Sequence, residues 1–464
     1  MDEVPLRHLM NPAFQSTSKY YISLPVLGYV YGGYDNNSFT LNALDNSNLS
    51  ALYSSLNDKT NISGNSQINF LSAGYAFNNS FLSFTLSQKA DLFSAFPKDL
   101  FKFLLYGTSD VDNNYFSLNA LGINANLYTE TAFGFSQQID EQWTFGIKLK
   151  MLNGNYNLNY SNNLFLSSNA DNWKLQGNAN LKYSGSVQVE FNEMSNLPNF
   201  EFPKKNIDLY KHNGLGAGID FGVQYRMLQN LYLSASITDF GFIKWKNNIV
   251  NDRLSVDYNF DGFVHLNSGM TTNEINSEFE NLFAENNLSD SLISAFNNSL
   301  FLNSSSEKYT SYTSSKVYAA LQYNFLSDRL NIGLLYSAFL NNKYGTNRLT
   351  ASINTKPFDW FNASLSYTFL NGYNSLGCGI GVKAGIFHFY TAMDCISFAY
   401  SKVPISEIEI PLPYNQKYLN FNAGINIAFG ERERKTEYFT NQPYNPFTGL
   451  YKPKFRKKKF LWDR

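Results

Sequence analysis

The chain reads as an all-β protein, a transmembrane antiparallel β-barrel of about fourteen strands with long extracellular loops carrying short helices. Three observations predict it. First, strand-length segments alternate strictly: residues 143–151 put Trp143, Phe145, Ile147, Leu149 and Met151 on one face and Thr144, Gly146, Lys148 and Lys150 on the other. Residues 82–87, 231–238, 317–323, 361–369 and 419–427 do the same. Successive strand side chains point to opposite faces, so each segment has one apolar and one wettable face. The wettable face, rich in Asn, Ser, Thr and Gly, makes a poor protein core. Second, only 16% of the 464 residues are charged although 44% are apolar, so the exterior is not the charged one of a soluble domain. Aromatics reach 17%, with 41 Phe and 32 Tyr, which suits lipid-facing bands and interface girdles. Third, very short polar turns alternate with very long insertions, as periplasmic turns alternate with extracellular loops.

No window holds the roughly 18 consecutive apolar residues that a spanning helix needs, so a membrane would be crossed by strands. The formal net charge of −1 offers no pull on a polyanion, and nucleic acid is excluded as a partner. Two cysteines rule out a disulfide-stapled scaffold or a cysteine-rich metal site. The opening Met1-Asp2-Glu3-Val4-Pro5 lacks a basic region followed by an apolar stretch, the start expected of a mature, processed chain.

Residues 1–19 form a periplasmic or lumenal segment, residues 20–430 the barrel, and residues 431–464 a basic periplasmic tail. Strands are expected at 20–31, 67–77, 81–89, 125–137, 143–153, 215–227, 231–240, 316–325, 330–340, 348–354, 360–370, 375–383, 387–397 and 418–429. The extracellular excursions fall at about 32–66, 90–124, 154–213, 241–314 and 398–417. Residues 154–191 keep alternating and predict hairpins rising above the membrane. Residues 97–106 and 273–300 show apolar spacing of three to four and predict helices, either packed on the rim or serving as a lid or docking surface. The tail has ten basic and four acidic residues. It has too little apolar surface to fold alone. Its Lys452, Lys454, Arg456, Lys457, Lys458 and Lys459 would meet phospholipid head groups or dock a periplasmic subunit.

Chemistry-bearing constellations are scarce. His8, His212, His265 and His388 are scattered, with no HExxH and no pair at metal-ligand spacing, so the chain reads as non-enzymatic, with no cofactor and no metal. Gly377, Gly379, Gly381 and Gly385 strip one face of a strand, where another segment can approach the wall. Lys383 and Asp394 would share the lumen there as a bracing ion pair. Cys378 and Cys395 lie equidistant from a turn at Ile386-Phe387; facing each other on the lipid side, they form a cross-strand disulfide or stay as two free thiols.

The opening Arg7-His8-Leu9-Met10-Asn11-Pro12-Ala13-Phe14, followed by Tyr21-Ile22-Ser23-Leu24-Pro25, resembles the start of a family of Bacteroidota outer-membrane barrels of unassigned function. It is similar, more loosely, to the Asn-Pro-Ala openings of PorP/SprF-like type IX secretion barrels and of long-chain fatty-acid channels. Gly379 to Tyr390, ending in Asp394, looks like a hairpin shared by those Bacteroidota families. The even strand count puts both termini on the short-turn, periplasmic side, and the resemblance implies a fourteen-stranded barrel in the bacterial outer membrane, with Asn11, Pro12, Ala13 and Phe14 entering the lumen as a plug. It implies no catalytic residue. Two functions are then open: an accessory scaffold that binds outer-membrane lipids and partner proteins of a secretion or assembly complex, or a channel for hydrophobic small molecules. The channel would have an apolar pocket lined by Leu9, Met10 and Phe14 and a lateral opening near the glycine-rich strand.

Overall fold

A computed structural model describes residues 4–40, 53–106, 114–168, 173–185, 188–191, 198–201, 212–260, 300–326, 329–341, 344–370, 373–394, 400–405, 408–413 and 417–431. Fourteen antiparallel staves close into a barrel. The first stave, β1, is Ser18–Ser23 resumed at Val30–Asn36. β2 (Lys59–Phe77), β3 (Ser80–Pro97), β4 (Gly122–Gln138) and β5 (Trp143–Asn162) follow. Next come β6 (Gly214–Leu228), β7 (Leu231–Trp245) and β8, which is Tyr309–Tyr312 continued by Ser315–Phe325. β9 (Leu330–Asn341), β10 (Tyr344–Phe358), β11 (Phe361–Leu370) and β12 (Tyr373–Ala384) are a regular meander. β13 (Phe387–Asp394) and β14 (Tyr418–Glu431) complete the wall, and β14 closes on β1 with Tyr20 opposite Phe429.

The outward face is the apolar one. Leu149, Met151, Phe133, Ile353 and Leu365 are all exposed, alternating with buried Lys148 and Lys150 on the lumenal side. Aromatic stacks gather near the short-turn end: Tyr20 on Tyr75 and Phe429, Trp143 on Phe145, Phe358 on Trp360. Such girdles are what a bilayer interface selects. The tight turns place left-handed backbone where it is tolerated, with φ of 49° at Asn78 and 63° at Gly385.

Several expected bounds shift. The strand expected at 20–31 is broken, because Pro25 cannot donate to the ladder and Val26 takes a φ of 64°. Residues 24–29 bulge, exposing Val26 and Leu27, yet remain stitched to both neighbours through Leu24 N to Ile425 O, Ile425 N to Leu27 O, Val26 N to Asn69 O and Asn69 N to Tyr29 O. β2 and β3 run to 19 and 18 residues, well beyond the 67–77 and 81–89 expected. Buried Asp91 on the lumenal face of β3 reads like loop chemistry in the sequence. The excursion at 154–213 begins as wall: Trp173–Ser184 pairs with the end of β5 and with Ile249–Phe260, which pairs with Leu300–Ser305, so a sheet extends above the barrel as the alternation of 154–191 predicts. The shorter helix is found at Lys98–Tyr106. Most of the helix expected at 273–300, and the tail after Glu431, lie outside the described residues.

The β12–β13 hairpin turns one residue earlier than expected. Cys378 therefore stands opposite Met393 rather than Cys395, which itself lies outside the described residues. Cys378 is free and exposed. In a chain with Cys395 replaced by Ser, a short bis-maleimide is expected to join Cys378 to a Met393→Cys side chain, read as a cross-linked peptide by mass spectrometry; cross-linking of Cys378 to Cys395 in the natural chain, at equal or better yield, would contradict this register.

Candidate functional site: a lumenal plug and the cavity above it

The segment ahead of β1 sits inside the barrel. A short 3-10 helix, Pro5–Leu9, buries Leu6 and His8 against Tyr21, Ala76 and Phe81 of the wall. Asn11 and Ala13 are almost fully buried. Asn11 Nδ2 donates to the carbonyls of Val223 and Ala235, each at 3.2 Å, while its Oδ1 accepts the Ala13 N–H at 2.9 Å. Ser236 Oγ donates to the Met10 carbonyl at 2.8 Å, Lys148 Nζ to the His8 carbonyl at 3.3 Å, and Gln15 Nε2 to the Asn79 carbonyl in the β2–β3 turn at 3.1 Å. The wall makes room with glycine. Gly146 and Gly222 are register partners on β5 and β6, and a Cβ on either would collide with Pro12 and Ala13 or with Asn11. Phe14 stays half-buried beneath the Arg7 guanidinium, 5.3 Å from its ring centre.

Above the plug a belt of buried charge crosses β3 to β8. Lys89 meets Glu130 at 2.8 Å and Asp239 at 2.6 Å; Lys150 meets Asp220 at 2.7 Å, Asp239 at 2.6 Å and Glu130 at 3.3 Å. Lys316 reaches Asp239 at 3.6 Å and Lys148 reaches Asp220 at 4.0 Å. Backbone irregularity aims the two aspartates. β6 and β7 slip register around Asp220, Asp239 takes a φ of 60°, and the Asp239 N–H donates to Asp220 Oδ1 at 2.7 Å. Bulges re-aim side chains in this way, and Asp is among the few residues that tolerate left-handed backbone.

The belt forms one side of a cavity of about 230 Å³. Leu9 and Met10 of the plug, with Tyr29, Tyr31, Leu335 and Phe339 of the wall, give the cavity an apolar side. Lys316 lies between the two, its Nζ 5.8 Å from the Tyr31 ring and 5.7 Å from that of Phe339. Further up, Arg348 joins Asp35 at 2.9 Å and stacks on Tyr418, whose hydroxyl donates to Asp394.

Placement of the residues singled out in the sequence is mixed. Leu9 and Met10 line the cavity, but Phe14 does not. Lys383 and Asp394 are not a pair: Lys383 is exposed beside the turn opposite His388, whereas Asp394 stands opposite Gly377, six positions or about 20 Å up the strand. Asp394 instead accepts from Tyr418, Ser366 and Asn420. Among the described residues the glycine-rich strand shows no opening, since β12 pairs with β11 over Tyr373–Val382 and with β13 over Gly377–Ala384. The docking lysines and arginine of the tail lie outside the described residues. Lys89, Glu130, Lys148, Lys150, Asp220, Asp239 and Lys316 were missed as a group, although each is a charged residue on a lumenal face in a chain with few charges. Among the described residues no three His, Cys, Asp or Glu side chains are placed to hold a metal ion.

This is a plugged β-barrel of the outer-membrane type. The chain belongs to the Family of unknown function (DUF5723), which matches residues 12–394. No curated protein matches it. Among solved structures it is similar to the toluene transporter TbuX of Ralstonia pickettii, at 8% identity and a TM-score of 0.43, covering 91% of this chain and 93% of that one. The toluene transporter TodX of Pseudomonas putida gives 9% and 0.40 over 91% and 92%. A FadL homologue of Pseudomonas aeruginosa gives 11% and 0.36 over 89% of each chain. At identities this low the likeness says nothing of cargo.

Two predictions follow from the seat of the plug and the belt. Lys150→Ala leaves three carboxylates facing each other without their shared cation, and is expected to cost about 3–5 kcal/mol of barrel stability; a urea-unfolding midpoint equal to the natural protein's would contradict this. Burial, and secondarily the nearby Lys148 charge, hold the His8 imidazole well below its usual range, and its Nδ1 has no hydrogen-bond partner among the described residues. The free segment takes up that proton as pH falls through about 6.5 while the seated one resists, so seating is complete above that pH and weakens below it. Proteolytic clipping before residue 18 is expected to rise on acidification, and His8→Asn to flatten the dependence.

Proposed function

We propose that the protein is a plugged passage of the bacterial outer membrane that admits small, largely hydrophobic molecules into its lumen, with the amino-terminal segment as the gate. The observation that carries this is the cavity itself, in which an apolar side of Leu9, Met10, Tyr29, Tyr31, Leu335 and Phe339 faces a belt of buried charge. A barrel serving only as a scaffold gains stability by filling its interior, whereas small-molecule sites are mostly apolar with a few placed polar groups. The short turns and both ends of the described wall share one side, which we assign to the periplasm. The apolar outer belt would contact outer-membrane lipids.

Molecules entering from the loop side would reach the cavity first and meet the charge belt and plug beyond it. Departure of the plug would expose the Gly146–Gly222 socket and widen the path towards the short-turn end. An accessory scaffold in a secretion or assembly complex would work instead through the loops and the basic tail, and kinship with Bacteroidota secretion barrels belongs with that alternative.

The test is uptake of a small apolar dye into liposomes holding the purified barrel. Gly146→Val, which denies Pro12 and Ala13 their seat, is expected to raise the rate several-fold, as is removal of residues 1–17. Equal rates in all three proteins, together with stoichiometric protein partners on mild-detergent purification, would replace the passage by the scaffold.

A further inference from the structure

The upper end of the cavity is built differently from its apolar side. Gly33 of β1 lies between Asn65 of β2 and Asn420 of β14, its register partners on either hand. With no side chain of its own it forms a floor over which three groups converge: a Cβ at that position would come within 2.6 Å of Asn65 Oδ1, 2.8 Å of the Tyr31 hydroxyl and 3.3 Å of Asn420 Oδ1. A Cβ on the neighbouring Gly32, which faces the opposite side of the wall, would meet nothing within 4 Å.

Both amide oxygens are buried without a hydrogen-bond partner among the described residues, and so are Thr346 Oγ1 and Arg348 Nε; all four side chains line the cavity. A buried polar group left unmade costs about 1–3 kcal/mol, so four on one cavity wall call for a complement. Its chemistry is constrained. The amide and hydroxyl oxygens ask for donors and the guanidinium N–H asks for an acceptor; an amide turned over would present N–H instead. A hydroxyl meets every one of these needs, because it donates and accepts.

Charge narrows the choice. Arg348 is answered by Asp35 and Lys316 by Asp239, while Asp394 stands close by, tied to Asn420 at 3.4 Å, so a carboxylate or phosphate would find each nearby cation already paired and a carboxylate beside it. A ligand cation would meet aromatic faces already covered, that of Tyr418 by Arg348 and that of Tyr31 by Lys316.

We propose that this end of the cavity is a subsite for an uncharged polyhydroxylated head group, so that the preferred cargo is a neutral amphiphile of the alkyl glycoside kind. It rests on the passage proposed above. The hydroxyls lie over Gly33 between Asn65, Asn420 and Arg348, and the apolar portion extends along Leu335 and Phe339 towards Leu9 and Met10. By the measure in which a single water needs about 10–15 Å³, a cavity of about 230 Å³ has space well beyond a few waters.

The experiment is calorimetric titration of the full-length barrel in lipid nanodiscs with hexyl β-D-glucoside, hexanoate and hexylamine. The glucoside is expected to bind about ten-fold or more tightly than either charged probe, a gap of roughly 1.4 kcal/mol. The Asn65→Ala/Asn420→Ala chain should lose about ten-fold for the glucoside alone. Gly33→Ala, which fills the floor, is expected to act likewise, and Gly32→Ala to leave binding unchanged. Equal affinity for the three probes, preference for hexanoate, or no glucoside binding by a folded barrel, the outcome if waters alone complete these groups, would each overturn the proposal. Apolar dye uptake without glucoside preference would remove the subsite and leave the passage; glucoside binding without uptake would do the reverse.

Discussion

In a bilayer every backbone N–H and C=O must find a partner within the protein, and the rest of this molecule depends on how that demand is met where β1 joins β14. At this seam the first stave is interrupted. Pro25 removes a donor from the middle of β1, and the chain answers by pushing residues 24–29 into a bulge that still bonds to Asn69 on one side and Ile425 on the other. Gly28 and Gly424 permit the close approach, with the Tyr390 hydroxyl donating to the Gly28 carbonyl at 3.1 Å. As the strand resumes, Tyr29 and Tyr31 reach the cavity. Closure of the wall and shape of the lumen are settled by the same few residues.

The plug is the direct continuation of that seam. Residues 16–18 lead from the buried segment straight into β1, so the gate and the closing stave are one piece of chain. Its seat combines two kinds of fit. Shape complementarity comes from the glycine pair under Pro12 and Ala13, and polar complementarity from the Val223 and Ala235 carbonyls that accept from Asn11. Buried charge then bounds the cavity. Lys150 is stabilised by three carboxylates in a space with little water, where a charge deprived of its partner is costly, and this makes the belt a rigid boundary.

Much of the barrel is legible in the sequence because lipid imposes a two-residue rhythm that survives tolerance to substitution. β6, β9 and β11 begin and end within two residues of where alternation places them. The rhythm misleads where lumenal residues are charged. Asp91 on β3 and Asn157 on β5 face inward and are buried, yet in sequence they resemble loop, so the wall was read as shorter than it is. The plug is anticipated only through the family resemblance that Asn11-Pro12-Ala13 carries. The charge belt is not, because its members lie on six staves and their meeting depends on bulges at Asp220 and Asp239 that no periodicity reveals. Lys383 and Asp394 show the converse error: the right parity on neighbouring strands, but at opposite ends of them.

The most direct measurement is maleimide labelling of Met10→Cys and Ala13→Cys in chains with Cys378 and Cys395 replaced by Ser, on the barrel in lipid nanodiscs. Met10 is 42% exposed and borders the cavity, whereas Ala13 is 0% exposed in its glycine socket. A seated plug beneath an accessible cavity predicts rapid labelling at position 10 and protection at position 13. Equal labelling of both, or protection of both, would contradict it.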